Sequence, residues 1–278
     1  MPTVLITDHV FPSIALERRV LESAGFALEE IKPICKTEDE VIQNCGRADV
    51  LLVQWAPITR RVLEALPRVQ GVVRYGIGVD NIDLQAAKEL GRIVSNVPNY
   101  CQEEVSDHAM AMILSLARRT PHDHDQIKRG AWGIGPFLPI PAFADLTLGL
   151  FGFGSIARKV SEKARPFRFR QIAFDPVAPA EVFAEGGIER VDRDTLLRSA
   201  DIISLHCPLL PETRQMISAE SIAKMKPGVI LVNTARGQLM NEADLVIALK
   251  AKKVIGAGLD VLRRNRLPPI ARSVPCRT

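Results

Sequence analysis

The sequence predicts an α/β protein of two domains, each built around a mostly parallel sheet, and three observations carry that expectation. Short apolar runs alternate with amphipathic stretches along most of the chain, which is the pattern of successive βα units. A glycine cluster at 152–154 restarts that alternation after an irregular stretch. Finally, 278 residues at 47% apolar and 24% charged are enough to bury two cores of globular composition.

In the first hundred residues the predicted strands are 4–7, 50–55, 71–75 and 93–97. Helices are predicted at 15–24, 38–48, 59–66 and 83–90, where apolar residues recur at helical spacing. A longer helix, 103–119, is apolar around most of its surface, which predicts burial between domains or between subunits. Residues 120–146 hold Gly, Pro and Trp132 without periodicity and read as an irregular connection. The second domain is predicted to contain strands 147–152, 170–175, 187–191, 201–206, 229–234 and 254–260. Its helices fall at 155–166, 193–199, 218–225 and 242–251, and the two domains join near 98–105.

Composition removes several classes of function. Every apolar run is interrupted by Arg, Lys, Asp or Glu before it could span a bilayer, so no membrane association is expected. Met1 leads straight into Val4-Leu5-Ile6-Thr7 without a basic leader or cleavage site, and the expected location is cytoplasmic. The five cysteines (35, 45, 101, 207 and 276) are odd in number and never spaced C-x-x-C. They predict reduced thiols and no bound metal. The formal charge of +4 comes from Arg263, Arg264, Arg266, Arg272 and Arg277; without them 31 basic residues face 32 acidic ones. A basic tail of this kind is poor grounds for nucleic-acid binding, and none is expected.

Gly152-Phe-Gly154-Ser155-Ile156-Ala157 is a G-x-G-x-x-A form of the dinucleotide fingerprint. Gly152 permits the tight turn, Gly154 lets backbone amides approach a pyrophosphate at a helix N-terminus, and Ala157 allows close helix–strand packing. A short glycine pattern alone is weak, since a glycine turn can sit in a sheet that binds nothing. Its context is stronger. An apolar strand precedes it, an amphipathic helix follows, and the next strand ends at Asp175, about twenty residues on. An aspartate there accepts hydrogen bonds from the adenosine ribose and repels a 2′-phosphate, so NAD is the expected cofactor.

From about residue 70 to 260 several blocks then follow in order. They are Arg74-Tyr75-Gly76-Ile77-Gly78-Val-Asp80-Asn81-Ile-Asp83, Asn96-Val-Pro98, the Gly152 fingerprint, and Asp201-Ile-Ile-Ser-Leu-His206-Cys207-Pro208-Leu with Glu212-Thr213. Val232-Asn233-Thr234-Ala235-Arg236-Gly237 and Gly258-Leu-Asp260-Val261 complete the set. Together they resemble the D-isomer-specific 2-hydroxyacid dehydrogenases. The Tyr75-Gly76 loop and Asn96-Val-Pro98-Asn-Tyr100-Cys101 look closest to the branch that includes phosphoglycerate dehydrogenase and the C-terminal-binding proteins.

The resemblance implies a flavodoxin-like substrate domain at 1–100, completed in relatives by a returning C-terminal segment, and a Rossmann NAD-binding domain at 101–262. It implies a homodimer and a small 2-hydroxy or 2-oxo acid substrate. Tyr75, Gly76, Ile77 and Gly78 look like the loop that holds the substrate carboxylate. Arg236 looks like the catalytic arginine, which grips that carboxylate in a bidentate manner. Gly152, Gly154, Ser155, Ile156, Asp175, His206, Cys207, Pro208, Thr213, Thr234, Ala235, Arg236 and Asp260 are the implied cofactor contacts. Asp260 corresponds to the aspartate that accepts from the nicotinamide amide. His206 reads almost as well as a satisfied histidine before a proline turn. His108, His122 and His124 lie far from these blocks in sequence and receive no catalytic role.

The family pattern breaks after Asp260. The reaction calls for a histidine that moves the hydroxyl proton and a glutamate that orients it. Asn265 stands where the resemblance places that glutamate, and no histidine follows His206. Residues 263–278 read as an aberrant basic tail, such as a one-base deletion in the gene would produce from an acidic, proline-containing stretch. The expectation is therefore an NAD-dependent oxidoreductase by descent, impaired in this truncated or frameshifted chain. The alternatives are an NAD-responsive binding protein of the corepressor type and an inactive product of a damaged gene.

Overall fold

The computed structural model describes residues 1–133 and 140–263, which fall in two compact units, Met1–Tyr100 and Cys101–Thr278. Residues 264–278, with Asn265, Cys276 and nearly all of the basic tail, lie outside the described residues.

Unit 1 is a five-stranded parallel sheet. Its strands are β1 (Thr3–Ile6), β2 (Ala27–Glu30), β3 (Val50–Val53), β4 (Gly71–Arg74) and β5 (Ile93–Ser95), in the order β2-β1-β3-β4-β5. Helices α1 (Ala15–Ser23), α2 (Glu38–Cys45), α3 (Arg60–Ala65) and α4 (Leu84–Glu89) make the crossovers. The chain enters α2 through a capping box in which Thr37 and Glu40 satisfy each other's backbone N–H groups, and Asp83 caps α4 by accepting from Ala86 N at 2.8 Å. Leu5, Leu51, Val53 and Val72 on one sheet face form a core with Val41, Val62, Leu63, Ala86 and Ala87 of α2, α3 and α4. The opposite face packs Val4, Ile6, Leu28 and Leu52 beneath Ile14 and Leu21, around α1. α1 has no fully buried residue, and Leu16 and Val20 are exposed. Strand β2 is absent from the sequence reading. It is an edge strand, Ala-Leu-Glu-Glu, with only Leu28 buried, so it carries no apolar run to find.

Unit 2 is a six-stranded parallel sheet in the order β11-β10-β9-β6-β7-β8. The strands are β6 (Thr147–Phe151), β7 (Arg170–Phe174), β8 (Glu189–Arg190), β9 (Ile202–Leu205), β10 (Val229–Asn233) and β11 (Val254–Leu259). β6, β9 and β10 are buried along their whole length, which is why they read as continuous apolar runs. Seven helices surround them among the described residues: α5 (Gln102–Ala117), α6 (Thr120–Lys128), α7 (Ser155–Ala164), α8 (Ala180–Gly186), α9 (Arg193–Ser199), α10 (Ala219–Lys224) and α11 (Glu242–Lys250).

Two expectations need correction here. The stretch 120–146 is not wholly irregular: α6 starts with Pro121 in its first turn, and a 3-10 turn forms at Phe143–Asp145. α6 buries none of its residues, so it has no apolar stripe to betray it. The burial of α5 comes from its own unit. Ala109, Met110, Ile113 and Ala117 enter one core with Leu148, Ile202, Ile230 and Val232 of the sheet, while Glu103, Asp107 and His108 face out. Lys163 of α7 ties down the start of α5, donating to Ser106 Oγ at 2.7 Å and to Asp107 Oδ1 at 2.5 Å.

Candidate functional site

In open parallel sheets ligands bind beyond the carboxyl ends of the strands, where the strand order reverses. In unit 2 that point lies between β6 and β9. Gly152, directly after β6, has φ +89°, and a Cβ on it would stand 2.8 Å from Cys207 N and 2.9 Å from His206 C. Both obstacles are backbone, so glycine is required here for conformation and for space. Gly154 differs. It is exposed, and a Cβ there would meet nothing within 4 Å. That open space lies at the N-terminus of α7, where no side chain caps the amides ahead of Ser155 and Ile156. An uncapped helix start with room before it suits a pyrophosphate. Ala157, one turn in, is fully buried, as close helix–strand packing requires.

Asp175 follows β7. Its Oδ2 accepts from Phe153 N at 2.8 Å, and its Oδ1 accepts from Val177 N and Ala178 N, each at 2.9 Å. Burial alone would raise its pKa, but these three donors hold it below the ordinary carboxylate range. The residue read as a ribose acceptor thus also shapes the glycine loop. A carboxylate has about four lone-pair sites, so capacity for a further hydrogen bond remains.

After β9, His206 N donates to Phe151 O at 2.8 Å, and its Nε2 lies 2.9 Å from Ser204 Oγ. Burial pushes the His206 pKa down to about 4 and that of Cys207 up to about 11, leaving both neutral near pH 7. Thr213 Oγ1 donates to Pro208 O and accepts from Leu210 N, both at 2.7 Å. Thr213 therefore builds the 208–213 turn.

Past β10, the buried Asn233 braces the loop that follows it. Its Nδ2 donates to Arg236 O at 2.9 Å, and its Oδ1 accepts from Ala235 N at 3.0 Å. Arg236 Nη1 donates to Ala235 O at 2.7 Å. Thr234 Oγ1 is buried without a hydrogen-bond partner among the described residues, an orphaned group that a bound ligand can satisfy. Beyond β11, Asp260 N donates to Asn233 O at 3.1 Å, and its Oδ1 lies 3.4 Å from His108 Nε2. The sequence reading set His108 aside as remote; the structure seats it beside Asp260.

The second set of expected residues caps the sheet of unit 1. Tyr75 N donates to Val53 O at 2.8 Å, and the Tyr75 ring meets Phe11 edge-on at 5.1 Å. Burial and then the Glu17 carboxylate push the Tyr75 pKa up. Asn96 Nδ2 donates to Ile77 O at 2.6 Å, and Val97 N donates to Gly76 O at 3.1 Å, which fixes the turn at Tyr75–Gly78. A Cβ on Gly76 would run into the Arg74 guanidinium.

The buried Asp8 was missed in the sequence, although an acid directly after an apolar strand was the available signal. Its carboxylate accepts from Gln54 N at 3.0 Å, Trp55 N at 2.6 Å and Ala56 N at 3.2 Å, at the strand-order reversal between β1 and β3.

The described residues contain no group of three or more His, Cys, Asp or Glu that could hold a metal ion. No helix among them is long and apolar enough to cross a membrane.

Comparison with known proteins places this geometry among relatives. Residues 110–275 match the model described as D-isomer specific 2-hydroxyacid dehydrogenase, NAD binding domain. The chain is 38% identical over 271 residues to D-3-phosphoglycerate dehydrogenase of Methanocaldococcus jannaschii, covering 97% of this chain and 50% of the relative. It therefore spans about half the length of that protein. It is 41% identical over 225 residues to hydroxypyruvate reductase of Thermotoga maritima, covering 81% of this chain and 72% of the relative. Among solved structures, a glyoxylate reductase from Paecilomyes thermophila superposes with a TM-score of 0.84 at 30% identity, covering 96% of this chain and 84% of the other.

Proposed function

The chain belongs to the D-isomer specific 2-hydroxyacid dehydrogenase family, and from that premise we propose that it binds NAD and acts on a small D-2-hydroxy acid or its 2-oxo counterpart. One observation carries the reading: the order of groups along the carboxyl edge of the unit 2 sheet. Asp175 ends β7, the glycine loop ends β6, His206–Pro208 ends β9, Thr234–Arg236 ends β10 and Asp260 ends β11. A dinucleotide whose pyrophosphate sits at the α7 N-terminus and whose adenosine ribose meets Asp175 extends in the other direction, over β9, β10 and β11.

A nicotinamide bound there supplies or accepts the hydride exchanged with C2 of the acid. The remaining work falls to the chain. The amides of Gly154, Ser155 and Ile156 take the pyrophosphate charge. Asp175 accepts from the ribose and, as an anion, repels a 2′-phosphate, which favours NAD over NADP. Thr234 offers its unsatisfied hydroxyl, and neutral His206, Cys207 and Pro208 line the adjoining wall. Asp260 accepts from the carboxamide. The Arg236 fork binds the substrate carboxylate and polarises the carbonyl. Tyr75, Gly76, Ile77 and Gly78 form the carboxylate-binding loop of unit 1.

With Asn265 in the place of the glutamate that orients the proton-transferring histidine, turnover should fall, by up to the factor of roughly a hundred to ten thousand that general acid–base groups supply. The test is an NADH fluorescence titration followed by turnover of a panel of 2-oxo acids. Binding with little turnover supports the reading in full. Absence of binding overturns it, and turnover at family rates overturns the impairment. The exposed Ile127 and Trp132 support a homodimer, which light scattering on the purified chain checks. A cytoplasmic location follows from the same metabolic reading.

A further inference from the structure

We infer that His108 is a positioning residue that holds the Asp260 carboxylate toward the nicotinamide end of the dinucleotide site, an inference that rests on the NAD reading above.

The pair is set by packing. Gly256 and Gly258 of β11 face α5: a Cβ on Gly258 would lie 3.0 Å from Met112 Sδ, and one on Gly256 would lie 3.2 Å from Leu116 Cδ2. Helix positions 116, 112 and 108 thus follow strand positions 256, 258 and 260. Four helical residues advance about 6 Å and two strand residues about 6.6 Å, so the two ladders stay in step over this length. The third rung of that register is the His108–Asp260 contact, Nε2 to Oδ1 at 3.4 Å.

The backbone of Asp260 is already fixed by its donation to Asn233 O at 3.1 Å. Its side-chain direction is the freedom that remains, and the imidazole restricts it. A carboxylate in contact with the His108 ring at 3.4 Å keeps lone pairs for the N–H groups of a carboxamide. Both side chains are about half exposed, at 51% and 50%. An exposed pair of this kind adds little to folding stability, so a structural role alone predicts almost no effect when it is removed.

The experiment uses the full chain and two ligands: NADH, and ADP-ribose, which lacks the nicotinamide. His108→Ala is expected to weaken NADH binding about tenfold, the size of one charge-assisted hydrogen bond, with ADP-ribose binding and thermal melting unchanged. His108→Gln, whose amide can still donate, should recover most of the NADH affinity. In Asp260→Asn, adding His108→Ala should bring no further loss, because the two residues act through one contact. Equal losses on both ligands, an unchanged NADH affinity in His108→Ala, or additive losses in the double variant overturn the inference while leaving NAD binding intact. Failure of the unaltered chain to bind NADH removes the NAD reading and this inference together.

Discussion

Gly152 is constrained twice, by a φ of +89° and by the backbone of Cys207 standing where a Cβ would go. A left-handed backbone alone costs an L-residue about 1–2 kcal/mol, and the contact cannot be relieved by a rotamer change. Gly152→Ala should therefore lower stability in urea by more than that amount and abolish NADH binding in a fluorescence titration. Arg236 makes a different demand. Arg236→Lys keeps the charge and loses the planar fork, so affinity for oxamate, a 2-oxo acid mimic, should fall about tenfold in the NADH-loaded protein, as calorimetry can measure.

His206 links the site to pH. Its folded pKa of about 4 lies below the unfolded value of about 6.5. Stability from the neutral ring is complete above the unfolded value and is lost as pH falls toward the folded one. Urea midpoints should drop between about pH 6.5 and 4.5, ahead of the carboxylates, and His206→Gln should flatten that part of the curve. Most of these residues were legible in the sequence because motif residues follow strands closely. Asp8 and His108 were not. Their importance comes from what they touch, and the partner of His108 lies at the far end of the unit in sequence.

Among the elements, the long buried strands and the helices with an apolar stripe were readable, with ends shifted by at most three residues. β2, α6 and α8 were not. β2 is half acidic, α6 buries nothing, and α8 is a short helix burying Phe183 alone. The α5–β11 contact depends on the absence of side chains at 256 and 258, a feature that hydrophobic periodicity does not register. Gly258→Val would push branched carbons into Met112 and Leu116. It should destabilise the protein by about 1–3 kcal/mol, the usual range for overpacking, seen as a lower urea midpoint. It should also weaken NADH binding, because the α5 rung that carries His108 moves.

The molecule as a whole has two compact units, and only one of them is built to bind the dinucleotide. Calorimetry should resolve two melting transitions. NADH at a hundred times its Kd should add about 2.7 kcal/mol to unit 2 and leave the transition of unit 1 in place. The two-unit α/β plan was legible because parallel sheets need alternating elements.

The packing of α5 also bears on how the chain is made. α5 is the first element of unit 2, and two of the strands it packs on, β10 and β11, are the last strands among the described residues. At about 5–20 residues per second, a ribosome needs on the order of ten seconds to get from one to the other. Throughout that interval Met110 and Ile113 lack Ile230 and Val232 of their shared core. Unit 2 can therefore close only after β11 has been made, and α5 is the segment on which chaperones would act while the nascent chain waits.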